Sequence, residues 1–215
     1  MAEKMFNSDP INMTLKHPII AIEGLDGTGK STLAYNLSKT LNGVYFHAPP
    51  SNVVGIKNSL KPVFQHNSEL RKAFYLMSNY IAAHRMQDIC KENVVFLDRY
   101  WHSSLAFGIS EKCLDEDKSL PPPEHEIYTW PEDLQKPTVV ILLELSEEER
   151  LRRLKNRHEK PVTPSEKRLE KYSLLRDMII NSYKRVKFSP LVVIDAGESP
   201  EAVSRKAMEI IENYL

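Results

Sequence analysis

The sequence has no net charge that would direct the protein toward a nucleic acid. Its 29 lysines and arginines balance 29 aspartates and glutamates over 215 residues, so any positive field must be local. Only two cysteines are present, Cys90 and Cys113. They form no C-x-x-C pair, which argues against a disulfide framework or a thiolate zinc site and fits a reducing compartment. None of the histidines has metal-ligand spacing to another histidine or to a cysteine.

Long apolar runs and targeting signals are also missing. No apolar stretch approaches the ~18 residues of a membrane-spanning helix, so we expect no membrane association. Residues 1–16 are polar, contain no arginine and lack the apolar segment of a secretory signal, and we interpret them as a loose N-terminal tail. The sequence therefore favours a cytoplasmic protein with one domain over residues 17–215.

Short apolar stretches alternate with helical patterns along the chain. The predicted strands are Ile19–Ile22, Val44–His47, Val94–Asp98, Thr138–Leu145 and Leu191–Ile194. Helices are predicted from Lys30, over about Val53–Phe64, from Ser68 to about Lys91, over about Trp101–Ile109, from Ser146, up to about Lys187, and from Ser199. This alternation predicts an α/β fold with a parallel sheet of about five strands, flanked by helices on both faces.

Two segments carry additional predictions. The long helix is expected to have Ser68 as its N-cap, and a face formed by Leu70, Phe74, Met77 and Ile81. The connection over 111–137 is long for a compact domain, so it is either a functional insertion or mobile.

The first strand leads into a glycine-punctuated loop that has the residue types of a phosphate cradle. Gly24, Gly29, Lys30 and Ser31 fill the pattern G-x-x-x-x-G-K-[ST]. Glycines let successive N–H groups point inward at anionic oxygens, and the helix that follows adds the positive end of its dipole. Lys30 would reach the β- and γ-phosphates, and Ser31 would offer an oxygen to Mg²⁺.

Other polar residues follow the neighbouring strands, and the carboxyl ends of parallel strands share one crevice. Asp98 ends an apolar strand as a Walker B acid does, and would hold Mg²⁺ near Ser31; the alternative is that it caps the next helix. Arg99 would bind a phosphate in the same crevice, or form a structural salt bridge.

A second set of cations follows the fourth strand. Arg153 and Arg157 are four residues apart and would share a helix face beside a proline-broken segment, which suits a lid over about 153–166 that closes on transferring phosphoryl groups. For most of the other cations there (Arg150, Arg152 and Lys155) a solvated helix face is the simpler reading.

These segments resemble a known family. Glu23-Gly24-Leu25-Asp26-Gly27-Thr28-Gly29-Lys30-Ser31-Thr32, followed by Asp98-Arg99-Tyr100, is similar to the thymidylate kinase family of nucleoside monophosphate kinases. Pro49-Pro50-Ser51, Trp101-His102-Ser103 and Trp130-Pro131-Glu132-Asp133 resemble its mitochondrial-type UMP-CMP kinase branch.

The resemblance implies a P-loop NTPase fold with a mobile lid, and transfer of the γ-phosphoryl group of ATP, with Mg²⁺, to a nucleoside monophosphate. The loop from Gly24 to Thr32 would bind ATP, Asp26 would face the acceptor ribose and Arg99 would bind the acceptor phosphate. Arg153 and Arg157 match the lid arginines of relatives whose phosphate loop, as at Gly27 here, carries no arginine. The family also implies a homodimer, for which the long helix could supply the apolar face if that face is not core. The branch implies a mitochondrial location.

The chain departs from the thymidylate kinase pattern where the acceptor base is recognised. Pro50-Ser51 stands in place of an arginine after the second strand, and Leu76, Asn79 and Tyr80 replace an aromatic and an Asn-Arg pair. Tyr80 and Phe74 are candidates for stacking on the base, with a core role equally open for Phe74. We therefore expect UMP, CMP, dUMP or dCMP as acceptor.

Three alternatives remain at this point: a dTMP kinase, a non-catalytic nucleotide-binding switch and a 5′-nucleoside kinase. The last would need a carboxylate base, commonly placed after the second strand, and Ala48-Pro49-Pro50 offers none.

Overall fold

A computed structural model describes residues 15–157, 162–187 and 190–215. The predicted tail therefore lies outside the described residues except for its last two positions. The predicted lid, 153–166, is described on both sides of 158–161.

A parallel sheet forms the centre of the molecule. Its strands are β1 (Ile19–Gly24), β2 (Val44–His47), β3 (Val95–Asp98), β4 (Val139–Glu144) and β5 (Leu191–Asp195). Their order is β2-β3-β1-β4-β5, with Ile19 opposite Val95 and Ile20 opposite Val139. The chain fills one side of β1 and then crosses to the other, so the strand order reverses beside β1, which is where open α/β sheets bind ligands. The predicted fold class is confirmed.

Helices connect and cover the strands. They are α1 (Lys30–Thr40), α2 (Ser51–Phe64), α3 (Ser68–Ile89), α4 (Trp101–Asp115), α5 (Glu147–Lys155), α6 (Pro164–Lys171), α7 (Ser173–Arg185) and α8 (Pro200–Ile211). Short 3₁₀ turns span Glu126–Tyr128 and Glu212–Tyr214.

The two faces of the sheet bury separate apolar clusters because successive side chains of a strand point to opposite faces. Ile19 packs in a cluster with Ala82 and Met86 of α3. Ile20 packs on the other face, in a cluster with Leu33 of α1 and Ala207 of α8. Both faces of β1 are thus covered, and its six residues are all buried. The loop that follows β1 therefore leaves the sheet from a fixed point.

The N-terminus and face of α3 differ from the sequence prediction. Its N-cap is Asn67, whose side chain accepts a hydrogen bond from the Leu70 amide, whereas Ser68 is the first helical residue. Of the predicted face, Phe74 is buried and Ile81 partly buried, but Leu70 and Met77 are exposed. The buried face instead uses small and polar residues (Ser78, Asn79, Ala82 and Ala83) with Phe74 and Met86, because α3 packs closely on its neighbours.

Other helix ends also differ from the sequence prediction. The helix α4 continues to Asp115, so the long connection begins at 116 rather than 111. The helix predicted to run to Lys187 is two helices, because Tyr172 between α6 and α7 has extended backbone angles. The helix α5 ends at Lys155, and the prediction that it carries Arg157 is wrong, since Asn156 is its C-cap.

The long connection is anchored by aromatic residues. Trp130 is 2% exposed, its ring centroid lies 5.6 Å from that of Tyr100, and its indole N–H donates to the Leu134 carbonyl. The Tyr100 hydroxyl donates to the Gln135 carbonyl. Trp130 and Gln135 therefore fasten this segment to Tyr100, which follows β3.

Candidate active site

The loop between β1 and α1 has the backbone of a phosphate cradle. Gly27 and Gly29 have φ values of 91° and 95°, a region that favours glycine. Gly29 is the N-cap of α1, and no side chain of the described residues caps that end. The first N–H groups of α1 therefore remain available to an anion at the positive end of the helix dipole.

Lys30 closes this loop from inside. Its Nζ donates to the Leu25 carbonyl oxygen at 2.5 Å, and the residue is 6% exposed. Burial, together with the positive charge of Arg99, lowers the pKa of Lys30 to about 8, although Asp26 and Asp98 act in the opposite direction. An anionic phosphate in the loop would favour the charged amine.

Ser31, in the first turn of α1, contacts Asp98 at the end of β3. The Ser31 hydroxyl donates to Asp98 Oδ2 at 2.5 Å, and the Tyr45 hydroxyl donates to the same oxygen at 3.2 Å. Burial and the Asp98 charge raise the pKa of Tyr45 to about 12. Asp98 does not cap α4, whose N-cap is Tyr100. One of the two roles considered for Asp98 is therefore excluded.

This pair supplies the oxygens that Mg²⁺ prefers. A hydroxyl and a carboxylate suit a cation that binds few protein groups and takes its other ligands from water and phosphate. Among the described residues no group of three or more histidine, cysteine or acidic side chains could hold a metal by itself. Ser31 and Asp98 fit Mg²⁺ in this respect.

Arg99 lies directly against the phosphate loop. Its Nη2 donates to Asp26 Oδ1 at 2.5 Å, and its guanidinium lies over the Phe107 ring. Although burial opposes ionisation of Asp26, the charges of Arg99 and Lys30 outweigh it and lower the pKa of Asp26 to about 2. Arg99 itself has φ of 66°, an uncommon conformation for a non-glycine residue. The surrounding contacts hold it there.

A fully buried carboxylate lies behind Arg99. Glu23 Oε1 accepts hydrogen bonds from the backbone N–H groups of Tyr100 and Ser103, and Oε2 accepts from the Ser103 and Tyr183 hydroxyls. Burial raises the pKa of Glu23, while Arg99 and these donors act against that rise. Ser103 in turn accepts from Arg99 Nη1 at 2.8 Å. Glu23 on β1 is therefore joined to Arg99 through Ser103.

The helix α5 packs on the phosphate loop through Arg150. This side chain is 0% exposed, pairs with Glu147 at 2.6 Å and donates to the Asp26 carbonyl at 3.0 Å. A Cβ on Gly27 would lie 3.0 Å from Leu154 Cγ and 3.2 Å from the Arg150 carbonyl. The helix thus occupies the space that a side chain at position 27 would need. The prediction that Arg150 belongs to a solvated helix face is therefore wrong. The same prediction holds for Arg152, whose side chain is 63% exposed.

Arg153 and Arg157 both border the phosphate loop. Arg153 pairs with Glu149 at 2.8 Å and donates to the Ala196 carbonyl at 2.7 Å. Arg157 pairs with Glu166 at 2.9 Å, on the far side of residues 158–161. The helix predicted to begin at Ser146 does so: Ser146 is the N-cap of α5, and the Glu149 carboxylate accepts from arginines on the same helix.

These elements enclose a cavity of ≈ 470 Å³. The phosphate loop, 26–32, forms one wall; Arg153 and Arg157 form a second; and the segment after β5, including Ala196 and Pro200, forms a third. The cavity is thus cationic where it meets the loop, and is within the size range of small-molecule sites.

The residues considered for the acceptor base lie on α3. Asn79 is 2% exposed and donates to Ser104 on α4 at 2.9 Å; the Tyr80 hydroxyl donates to Asp133 at 2.9 Å. Phe74 is 5% exposed and packs against Phe64 with ring centroids 5.4 Å apart. Of the two roles left open for Phe74, its packing supports the core role.

Sequence reasoning missed four residues that hold the site: Glu23, Ser103, Arg150 and Tyr183. Glu23 had a usable signal, since a lone acid inside a buried strand needs partners. Nothing local distinguishes Arg150 from the arginines beside it, or Tyr183 from an ordinary core tyrosine.

The sheet order, the phosphate loop and the acid at the end of β3 define a P-loop NTPase fold. The thymidylate kinase family model matches residues 22–207, and the chain belongs to that family.

Two relatives and two solved structures show the extent of the similarity. Human mitochondrial UMP-CMP kinase 2 is 36% identical over 92% of this chain, and the chain spans 43% of that protein's length. Probable thymidylate kinase 1 of Saccharolobus solfataricus is 27% identical over 92% of this chain and 98% of its own. Thymidylate kinase from Candida albicans superposes with a TM-score of 0.70 at 20% identity, covering 94% of each chain. Deoxyadenosine kinase from M. mycoides superposes with a TM-score of 0.65 at 21% identity, covering 91% of this chain and 99% of its own.

No helix in the described ranges is both long enough and apolar enough to span a membrane.

Proposed function

We propose that this protein is an ATP-dependent pyrimidine nucleoside monophosphate kinase, which transfers the γ-phosphoryl group of ATP to UMP or CMP, or to their deoxy forms. The observation that supports it most is the position of Arg99. Its guanidinium is bonded to Asp26, whose neighbours in the chain form the wall of the donor cavity. A phosphate held by Arg99 would therefore lie beside a triphosphate held by the loop.

The donor side of the site would be formed by the loop from Gly24 to Thr32. Its backbone N–H groups and Lys30 would bind the β- and γ-phosphates. Arg153 and Arg157 face the same cavity from the opposite wall and would neutralise charge on the transferring group.

The acceptor side would be formed by Asp26 and Arg99. The low pKa of Asp26 keeps it ionised at neutral pH, so it can accept a hydrogen bond from a ribose hydroxyl. The charge on Arg99 suits bidentate contact with a phosphate. Because a phosphate monoester is already anionic near neutral pH, its oxygen can attack the γ-phosphorus in line without a strong general base.

Ser31 and Asp98 are the residues that would hold Mg²⁺ beside the phosphate loop. When bound, the ion would supply charge neutralisation of the phosphates. Their hydroxyl-to-carboxylate contact of 2.5 Å places both oxygens at one point beside the loop.

The proposed preference for a pyrimidine other than thymine depends on α3 and on the relatives. Leu76, Asn79 and Tyr80 stand where thymidylate kinases carry other residues, and a relative at 36% identity bears the name UMP-CMP kinase. Tyr80, which is only partly buried, is the stronger remaining candidate to meet the base, since Phe74 and Asn79 are both buried. A dTMP kinase is the second candidate, since other relatives are named probable thymidylate kinases.

A coupled ADP-release assay with CMP, UMP, dCMP, dUMP and dTMP tests the proposal. We expect turnover with at least one of the first four, and a lower kcat/KM with dTMP. Absence of turnover with every acceptor would contradict the kinase and favour a nucleotide-binding switch. A clear dTMP preference would leave the kinase standing and overturn the assignment of an acceptor other than thymidylate.

A further inference from the structure

The guanidinium of Arg99 has one near polar anchor on each of its two terminal nitrogens, besides a longer contact of 3.4 Å from Nη1 to the Tyr183 hydroxyl. One is Asp26 in the phosphate loop, which would also face the acceptor. The other is Ser103, which accepts from Nη1 at 2.8 Å and is buried. Because Ser103 is buried and its hydroxyl is bonded to Arg99, we expect it to act through Arg99 and not by contact with a nucleotide.

The hydrogen atoms in this cluster can be assigned. The Ser103 hydroxyl has one proton, and its shortest contact is 2.5 Å to Glu23 Oε2, so it donates there and accepts from Arg99. The Tyr183 hydroxyl lies 2.8 Å from Ser103 Oγ and 3.3 Å from Glu23 Oε2, so its one proton points toward these two acceptors. Its lone pairs then face Arg99 Nη1 at 3.4 Å.

Glu23 receives only donors in this arrangement. The Tyr100 and Ser103 amides and the Ser103 hydroxyl donate to its two oxygens, and the Tyr183 hydroxyl lies 3.3 Å from Oε2. It also takes the place of a side-chain cap for α4, since it accepts from the Tyr100 and Ser103 amides. The start of α4 and the left-handed turn at Arg99 are therefore tied to β1.

Tyr183 extends the same cluster to α7. It is 0% exposed, and its ring packs in the cluster between α4 and α7 that includes Leu175 and Ile179. Its hydroxyl is the atom through which α7 reaches Arg99. The position of the guanidinium thus depends on three elements: β1, α4 and α7.

We propose that Glu23, Ser103 and Tyr183 are positioning residues that fix the Arg99 guanidinium for the acceptor phosphate. The inference rests on the proposed function, because it takes Arg99 as the acceptor-phosphate ligand. It predicts that loss of one anchor weakens acceptor binding selectively, since the phosphate loop and the donor cavity keep their own contacts.

The chain offers matched controls for this test. Ser110 Oγ on α4 and Ser182 Oγ on α7 lie 3.2 Å apart, are both buried, and join the same two helices away from Arg99. Tyr183→Phe is therefore compared with Ser182→Ala, and Ser103→Ala with Ser110→Ala. Each variant loses one buried hydroxyl, so general weakening of the helix pair is similar in a test variant and its control.

The experiment measures KM for ATP and for the preferred acceptor, with unfolding midpoints as a check on folding. Tyr183→Phe and Ser103→Ala should raise the acceptor KM about five- to tenfold, the usual effect of losing one hydrogen bond or a supporting partner. The ATP KM should stay within about twofold, and both controls should keep both constants within about twofold.

Two results would overturn the proposal: an unchanged acceptor KM in folded Tyr183→Phe and Ser103→Ala, or an ATP KM that rises in proportion. If either variant fails to fold, the other decides. Failure of the wild-type protein to phosphorylate any monophosphate would instead count against the proposed function, so the two failures are distinguishable.

Discussion

Substitution of Gly27 by alanine is the sharpest test of how α5 and the phosphate loop fit together. The added Cβ would lie 3.0 Å from Leu154 Cγ and 3.2 Å from both Cγ and the carbonyl oxygen of Arg150. These contacts are too short, and part of the obstacle is helix backbone. The residue would also have to adopt φ of 91°, which side chains disfavour.

The expected cost follows from two contributions. A strained backbone conformation costs about 1–3 kcal/mol, and overpacking by one methyl group typically costs another 1–3 kcal/mol. We therefore expect Gly27→Ala to lower the free energy of unfolding by about 2–6 kcal/mol. With a urea m-value of ~2 kcal/mol/M, the midpoint of unfolding would fall by about 1–3 M.

The assay is equilibrium urea unfolding monitored by far-UV circular dichroism, with Gly55→Ala as the control. Gly55 lies inside α2, and a Cβ there meets nothing within 4 Å, so alanine should raise stability by about 0.5–1 kcal/mol. An unchanged or higher midpoint in Gly27→Ala would refute the packing of α5 against the loop. The variant should also bind ATP more weakly, because a displaced α5 carries Arg153 with it.

Three further predictions concern single side chains. Lys30→Ala should lose turnover at least about 10²-fold, because the amine is proposed to bind the phosphates, while its circular dichroism spectrum stays that of the wild type, because the substitution removes one hydrogen bond, to the Leu25 carbonyl. Arg153→Met should lower kcat at least about 10²-fold, whereas Arg152→Met, one residue away and exposed, should change it less than about twofold. His102 is fully buried, and burial lowers its pKa to about 3, so the folded state resists a proton that the unfolded state takes up below pH 6.5. Stability should therefore fall as the pH drops below 6.5, by about 2 kcal/mol at pH 5, and His102→Phe should remove that part of the pH dependence.

Each of these has a contradicting outcome. Wild-type rates in Lys30→Ala would mean that the phosphate loop is wrongly assigned. Equal losses in the two arginine variants would show that α5 acts only as a charged surface. For His102, the difference in the free energy of unfolding between pH 7 and pH 5 is measured separately in the wild type and in His102→Phe. Any change in stability that the phenylalanine ring causes equally at both pH values cancels in this difference. The same pH difference in wild type and His102→Phe would refute the burial argument.

The parts of the site predicted from sequence are those in which a local pattern fixes the local geometry. The loop from Gly24 to Ser31 needs its glycines and lysine at set spacing whatever surrounds it. Asp98 could be placed near Ser31 because parallel strands end at the same edge. The two side chains do lie close together, with the Ser31 hydroxyl 2.5 Å from Asp98 Oδ2.

The missed parts depend on which surfaces pack together. The face of α3 was predicted from large apolar residues, yet Ala82 and Ala83 are buried while Met77 is 45% exposed. Close helix packing selects small side chains, which carry little periodic signal. The burial of Arg150 likewise depends on α5 lying across the loop, and one sequence does not specify that approach.

Boundaries were missed for a more local reason. Asn67 and Ser68 are both good N-cap residues, and propensity does not choose between neighbours.

The central claim, phosphoryl transfer between two nucleotides bound on either side of Asp26, is tested most directly by following the phosphoryl group itself. The protein is incubated with ATP labelled at the γ-phosphate and, in separate reactions, with CMP, UMP, dCMP and dUMP, and the nucleotides are separated by ion-exchange chromatography. We predict that the label appears at the β-position of the diphosphate of at least one acceptor, and that Arg99→Gln lowers this transfer at least about 10²-fold. Label found only in inorganic phosphate, with no labelled diphosphate from any of the four acceptors, would contradict the claim.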